Sequence, residues 1–222
     1  MPDNPELRLD GPADGSRTFV LAHGAGEGMD SPFMSFFATG LAERGFRVAR
    51  FEFPYMAGYR QTVKKKPPDR PDVLKATWLQ VVALLQSKNL VIGGKSMGGR
   101  IASLIADQAG VHGLICLGYP FHPVGRPNQL RVEHLRTIKT PTLILQGERD
   151  PFGNRQEVAG YQLSSAIRVH WVEDGDHSYI PRKKSGRTKQ QNWEAALGVI
   201  ESFVNGLTAR YNSRFPAARG SF

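Results

Sequence analysis

Short runs rich in Val, Ile, Leu and Phe recur at 7–10, 18–23, 47–53, 89–93, 112–118, 142–146 and 167–172, most of them bounded by Gly, Pro or Asp. Several are apolar throughout, the pattern of strands covered on both faces of a parallel sheet. Between them, apolar residues repeat at helical spacing over 32–44, 72–87, 97–109, 155–164 and 189–206. Strand and helix therefore alternate, which predicts an α/β fold: a mostly parallel twisted sheet of about seven strands with helices on both faces. The interval between 112–118 and 142–146 is too short for a separate lid domain, so the carboxyl edge of the sheet is expected to be open.

One junction between these elements carries chemistry. Leu90-Val91-Ile92-Gly93-Gly94-Lys95-Ser96-Met97-Gly98-Gly99-Arg100 joins an apolar run to a helical pattern through G-x-S-x-G. This is the form of a nucleophile elbow, with a serine hydroxyl at the apex of a strained turn. Gly94 and Gly98 flank Ser96 where a Cβ would obstruct the closing of strand and helix, and Gly99 adds a second small residue on the first helical turn. A phosphate loop is excluded, because G-x-x-x-x-G-K-[ST] needs a glycine where Asn89 stands.

A serine nucleophile needs a base and an acid to orient it, in the chain order Ser, Asp or Glu, His. Asp150 lies in the loop after the run 142–146, and His177 in the loop after 167–172. Three successive crossover loops thus bring Ser96, Asp150 and His177 to one edge of the sheet. Glu148, Asp174 and Asp176 are the rival acids. An oxyanion hole would use the backbone N–H of Met97 and of Ala25 or Gly26 in the early loop His23-Gly24-Ala25-Gly26-Glu27-Gly28. That loop fails as a dinucleotide fingerprint, since Met29 occupies the last glycine position. His23 reads as a buried brace of the loop.

These segments in combination resemble the α/β-hydrolase superfamily, of the dienelactone-hydrolase-like kind. The closest resemblance is to the branch with bacterial predicted hydrolases, the testis-expressed hydrolase-like proteins and the third subunit of the non-specific-lethal histone acetyltransferase complex. It rests on Leu21-Ala22-His23-Gly24-Ala25-Gly26 with Met29-Asp30-Ser31-Pro32-Phe33-Met34, on Gly94 to Arg100, and on Gly118-Tyr119-Pro120-Phe121-His122-Pro123. Gln146-Gly147-Glu148-Arg149-Asp150-Pro151-Phe152-Gly153 and Asp174-Gly175-Asp176-His177 complete it. The resemblance spans residues 6–207 and implies the α/β-hydrolase fold and the Ser96, Asp150, His177 assignment. It implies no substrate, and the cysteine nucleophile of dienelactone hydrolase is replaced here by Ser96.

Length and composition agree with one domain: 222 residues, 40% of them hydrophobic, are enough for a sizeable core. That domain is expected over 1–207, with 208–222 a flexible basic tail. Cys116 is the single cysteine, which rules out an internal disulfide. No apolar run reaches membrane length and the N-terminus has no basic-then-apolar leader, so a cytoplasmic location without a membrane partner is expected.

The formal net charge of +9 is concentrated in two segments. Segment 60–75 has six basic residues against two acidic, and segment 182–189 has five basic and none acidic. Both follow strand ends on the predicted catalytic edge, so Lys65 and Lys183, with Gly26 and Tyr119, are candidate substrate contacts. A positive rim would favour anionic substrates. Nucleic acid is the weaker partner, because Tyr59 is the only aromatic residue among these charges. The expectation is a serine hydrolase acting on a small-molecule ester or thioester without metal or cofactor. The alternative is a non-catalytic scaffold for protein or nucleic acid on the same fold. Oligomeric state is not legible in the sequence.

Overall fold

The computed structural model of the chain describes residues 4–15, 17–64, 66–87 and 89–214. Seven strands form one sheet: β1 (Leu7–Asp10), β2 (Thr18–Ala22), β3 (Arg47–Phe51), β4 (Leu90–Lys95), β5 (Gly113–Leu117), β6 (Thr142–Gly147) and β7 (Ile167–Val172). Their order is β1-β3-β2-β4-β5-β6-β7. Only β1 runs antiparallel, against β3, and every other neighbour pair is parallel.

Helices α1 (Pro32–Ala42), α2 (Pro54–Thr62), α3 (Pro71–Leu85), α4 (Met97–Ala109), α5 (Arg155–Ala159) and α6 (Lys189–Arg214) connect or follow the strands. Side chains alternate across each strand, so the sheet has two cores. On one face Val20, Ala22, Ile92, Leu114 and Cys116 pack with Trp78 of α3 and Ile101, Ala102 and Ile105 of α4. On the other, Phe19, Leu21, Val91, Ile115 and Leu117 pack with Phe33 and Phe37 of α1 and Trp193, Leu197 and Ile200 of α6. Cys116 is fully buried, and burial pushes its thiol well above its ordinary range.

The structure departs from the sequence pattern at element ends and at one whole helix. The residues of α2 were not expected to be helical. Pro54 opens it at the first turn, where a missing N–H does no harm. β4 runs on through Gly93 and Gly94 to Lys95, and α5 stops at Gly160, well short of the ten residues expected. α6 continues to Arg214, so 208–214 is helix where a flexible tail was expected, and 215–222 lies outside the described residues.

Candidate active site

β4 ends at Lys95 and α4 begins at Met97, which isolates Ser96 between strand and helix. Its φ of 50° and ψ of −114° are conformations that residues with a Cβ rarely adopt. Two backbone bonds hold it there: the Ser96 N–H donates to the Leu117 carbonyl at 2.9 Å, and the Ser96 carbonyl accepts from the Arg100 N–H at 3.0 Å. The flanking glycines permit the close approach. A Cβ at Gly94 would lie 2.1 Å from the Ala22 carbonyl oxygen, and one at Gly98 would lie 2.5 Å from the same atom.

Asp150 and His177 meet as neighbours of this turn. Asp150 is fully buried, and its Oδ2 lies 2.7 Å from His177 Nδ1. A carboxylate only accepts, so Nδ1 carries the proton and Nε2 is left as an acceptor. Asp150 is fixed by two further bonds, from the Phe152 N–H to Oδ1 at 2.9 Å and from Gln146 Nε2 to Oδ2 at 3.0 Å. His177 titrates below its ordinary value because burial penalises the imidazolium; the bond to Asp150 opposes this, and the charge of Lys95 adds to it. The ring is therefore a neutral base at pH 7. Ser96 and His177 are not hydrogen-bonded to each other, a contact that in many such sites tightens only around substrate. The Phe152 ring, 4.4 Å from the His177 ring, bridges from the histidine to the wall of the pocket that holds Ser96.

That pocket, about 360 Å³, is lined by Ala25, Pro68, Asp69, Pro71, Leu74, Ser96, Met97, Arg100, Ile101, Pro120, Arg131 and Phe152. Met97 opens α4, where the first amides have no helical carbonyl to bond. The carbonyls of Gly24 and Ala25 are tied back by the Tyr55 hydroxyl, at 3.3 and 3.0 Å. His23 braces the same loop. Its Nδ1–H donates to the Gly24 carbonyl at 2.7 Å and its Nε2 accepts from the Phe53 N–H at 3.1 Å.

The remaining expected contacts lie elsewhere. Gly26 is exposed on the loop beside Ala25 and does not line the pocket. Tyr119 is wholly buried and donates its hydroxyl to the Arg131 carbonyl at 2.8 Å, so it supports the wall instead of facing a ligand. Lys183 is exposed and outside the lining, and Lys65 lies outside the described residues.

The positive rim needs the same correction. Segment 60–75 does flank the pocket, but through Pro68, Asp69, Pro71 and Leu74, and segment 182–189 contributes nothing to its lining. Arg60 is paired with Glu52 and Asp30, Arg182 with Asp174, and Arg187 with Glu173. These three arginines are neutralised by neighbouring acids, whereas Lys183 and Lys184 stay exposed away from the pocket.

A second serine and histidine also touch. Ser103 Oγ is 2.7 Å from His134 Nε2, but it donates its single proton to the Arg100 carbonyl at 2.7 Å. His134 must then be the donor to the hydroxyl and is no base toward it. Asp107, on the same helix, bonds Thr140 Oγ1 at 2.6 Å and the Thr140 amide at 2.8 Å, and holds no histidine. Ser103 is 4% exposed and lines no part of the Ser96 pocket.

Sequence reasoning missed two supports of the site. Lys95 is buried and donates Nζ to the His177 carbonyl, with the Phe33 ring 4.9 Å away. Burial pushes its pKa down to about 8 against the pull of Asp150, Asp176 and Glu27. Gln146 is a large polar residue that follows the apolar run Leu143-Ile144-Leu145 in a wholly buried strand, and that anomaly was its only signal. Its amide group reaches Asp150, the Tyr119 carbonyl and the Gly153 carbonyl, and accepts from the Tyr119 N–H at 2.7 Å.

Residues 15–205 match the family described as "Alpha/beta hydrolase domain". Among solved structures, the chain is similar to an α/β serine hydrolase without a lid from Xanthomonas campestris. The TM-score is 0.63 at 18% identity, covering 96% of this chain and 91% of that one. It is similar as well to an α/β serine hydrolase homologue from Coxiella burnetii, at TM-score 0.66 and 20% identity over 91% of each chain. Est1E from Butyrivibrio proteoclasticus, also solved with ferulic acid bound, aligns at TM-score 0.69 and 15% identity, covering 91% of this chain and 94% of that one.

Proposed function

Because this chain belongs to the α/β-hydrolase family, we propose that it is a serine hydrolase of carboxylic esters or thioesters, with Ser96 as nucleophile, His177 as base and Asp150 as its orienting acid. The observation that carries this reading is the buried Asp150 bonded to His177 Nδ1 at 2.7 Å, beside a serine held at a strained left-handed apex. His177 Nε2 takes the Ser96 proton as Oγ attacks the carbonyl carbon. The backbone N–H groups of Met97 and Ala25, both in the pocket wall, receive the developing oxyanion. His177 then gives the proton to the departing alkoxide or thiolate, leaving an acyl-Ser96. Water, deprotonated by the same nitrogen, releases the acid and regenerates the serine.

Est1E with ferulic acid bound supports a small-molecule ester as substrate. The resemblance to the branch of bacterial predicted hydrolases and testis-expressed hydrolase-like proteins is part of the same proposal. No helix among the described residues is long and apolar enough to cross a membrane.

Labelling with a fluorophosphonate probe at neutral pH tests the reading. The wild type is expected to be labelled and Ser96→Ala not. A folded, monodisperse wild type that stays unlabelled would overturn the catalytic reading and favour a scaffold.

A further inference from the structure

Two arginines that line the Ser96 pocket have no acidic partner among the described residues. Arg100 follows Ser96 by four residues, which puts it on the same side of α4 one turn along. Arg131 comes from the connection between β5 and β6 and is anchored through its backbone. Its N–H donates to the Phe121 carbonyl at 2.8 Å and its carbonyl accepts from the Tyr119 hydroxyl at 2.8 Å. Both residues line the pocket with Ser96, Met97 and Ala25.

Other arginines of the structure are neutralised: Arg50 by Asp10, Arg60 by Glu52 and Asp30, Arg44 by Glu201, Arg155 by Glu148. Arg100 and Arg131 pair with no acid among the described residues, and Arg100 Nε is buried without a hydrogen-bond partner. Arg100 lies near enough to Arg131 for its charge to act on it. Arg131 is held below its ordinary value by burial first and by the charge of Arg100 second. A guanidinium cannot escape this position by losing its proton near neutral pH, so a ligand oxyanion is the group that would satisfy it. The one carboxylate in the lining, Asp69, is engaged by the Tyr55 N–H at 2.8 Å. Apolar residues, among them Ile101, Pro120 and Phe152, share the lining with the arginines.

We propose that Arg100 and Arg131 form an oxyanion subsite, which selects an ester or thioester carrying a carboxylate or phosphate a few carbons from its scissile carbonyl. The inference rests on Ser96 being the nucleophile for its catalytic meaning, though not for the binding itself. One helical turn separates Ser96 from Arg100, a rise of about 6 Å, which suits a short apolar spacer. The anion preference expected of Lys65 and Lys183 is thereby moved to two arginines that line the pocket.

The test compares three p-nitrophenyl esters: of glutaric acid, of its neutral monoamide, and of 4-phosphonooxybutanoic acid. For the wild type, kcat/KM for one or both anionic esters is expected to exceed that for the amide by about tenfold, the worth of one charge-assisted contact. The carboxylate and phosphate arms identify which oxyanion the fork prefers. Arg100→Gln and Arg131→Gln are expected to remove the preference through KM, and Arg131→Lys to retain part of it. Equal kcat/KM for acid, phosphate and amide would overturn the proposal, as would a preference that survives in the double Gln variant. Calorimetric binding of glutarate and of inorganic phosphate to Ser96→Ala separates the two readings. Binding that is lost in Arg100→Gln supports the subsite even if fluorophosphonate labelling fails. A labelled wild type that shows no anion preference and binds neither anion sinks the subsite and leaves the hydrolase reading in place.

Discussion

Two serines seven residues apart stand at the start of α4 and inside it, and each stands near a histidine. Ser96 precedes the helix at a left-handed apex, with an open pocket beside it. Ser103 lies inside the helix, buried, with its proton donated to the Arg100 carbonyl. The histidines differ in the same way. His177 is 21% exposed at its side chain, its Nδ1 turned to a buried carboxylate and its Nε2 left as an acceptor. His134 is pushed down to about 4 by burial and then by Arg100, and no acid holds it. Matching residue types therefore give a proposed catalytic centre in one place and a packing contact in the other. The difference lies in which groups are free to move a proton and whether a substrate can reach them.

Exchanging the serines breaks this comparison most sharply. Ser96→Ala is expected to lower kcat by on the order of 10⁴ to 10⁶, and Ser103→Ala to keep the esterase rate while lowering Tm slightly. Steady-state kinetics on an activated ester with thermal melts would check both, and comparable losses in the two variants would dissolve the distinction.

The acids come next. Asp150→Asn should retain the fold and lose roughly 10⁴ in kcat, because the amide favours the wrong imidazole tautomer. Asp107→Asn should instead be felt in stability. The bonds that Asp107 accepts from Thr140 and the Lys139 amide cap the approach to β6, and their loss is expected to cost about 1–3 kcal/mol in urea unfolding. A larger rate loss in Glu148→Gln or Asp174→Asn than in Asp150→Asn would reassign the acid.

The pH dependence sharpens the contrast between the histidines. His177 must be neutral to accept a proton, and its pKa is lowered from 6.5, so the acid limb of kcat/KM should fall below pH 6.5. An acid limb at or above 6.5 would contradict the burial argument. His134 bears on stability alone. Between pH 6.5 and about 4 the unfolded chain takes up a proton that the folded histidine refuses, so folding weakens as pH falls through that window. His134→Gln should flatten that part of the stability curve without moving the kinetic limb.

The smallest expected effect belongs to Lys95, which bonds His177 at its backbone carbonyl and not at its ring. Lys95→Met should lower kcat by about tenfold with little change in KM, by loosening the His177 loop. The wild-type rate should also decline gently above pH 8 as the ammonium deprotonates, and the decline should be absent in Lys95→Met.

Much of the fold was legible because apolar continuity and periodicity report burial directly. All seven strands fall within two residues of the observed ends, and the chain order of Ser96, Asp150 and His177 follows from the crossover topology. α2 escaped notice because its nine residues bury only Tyr55 and Met56, too few for a helical stripe, and its start depends on Pro54. α5 was overestimated because apolar spacing persists past Gly160, where the helix has already ended.

The sequence by itself determined the doubly covered parallel sheet, the elbow at Ser96 and the edge on which the loops gather. Those properties depend on local pattern: residue size at Gly94 and Gly98, apolar runs, and the alternation of strand and helix. Only the tertiary structure decided how the charges are distributed. Whether an arginine is neutralised depends on acids brought near by folding, often from distant segments. Arg60 meets Asp30 and Arg182 meets Asp174, whereas Arg100 and Arg131 meet no acid among the described residues. The same holds for Lys95 and Gln146, whose partners lie in loops that converge only once the sheet is assembled. Electrostatic pairing acts through space and not along the chain, so a count of charges per segment could locate positive residues but not show which of them faces the pocket.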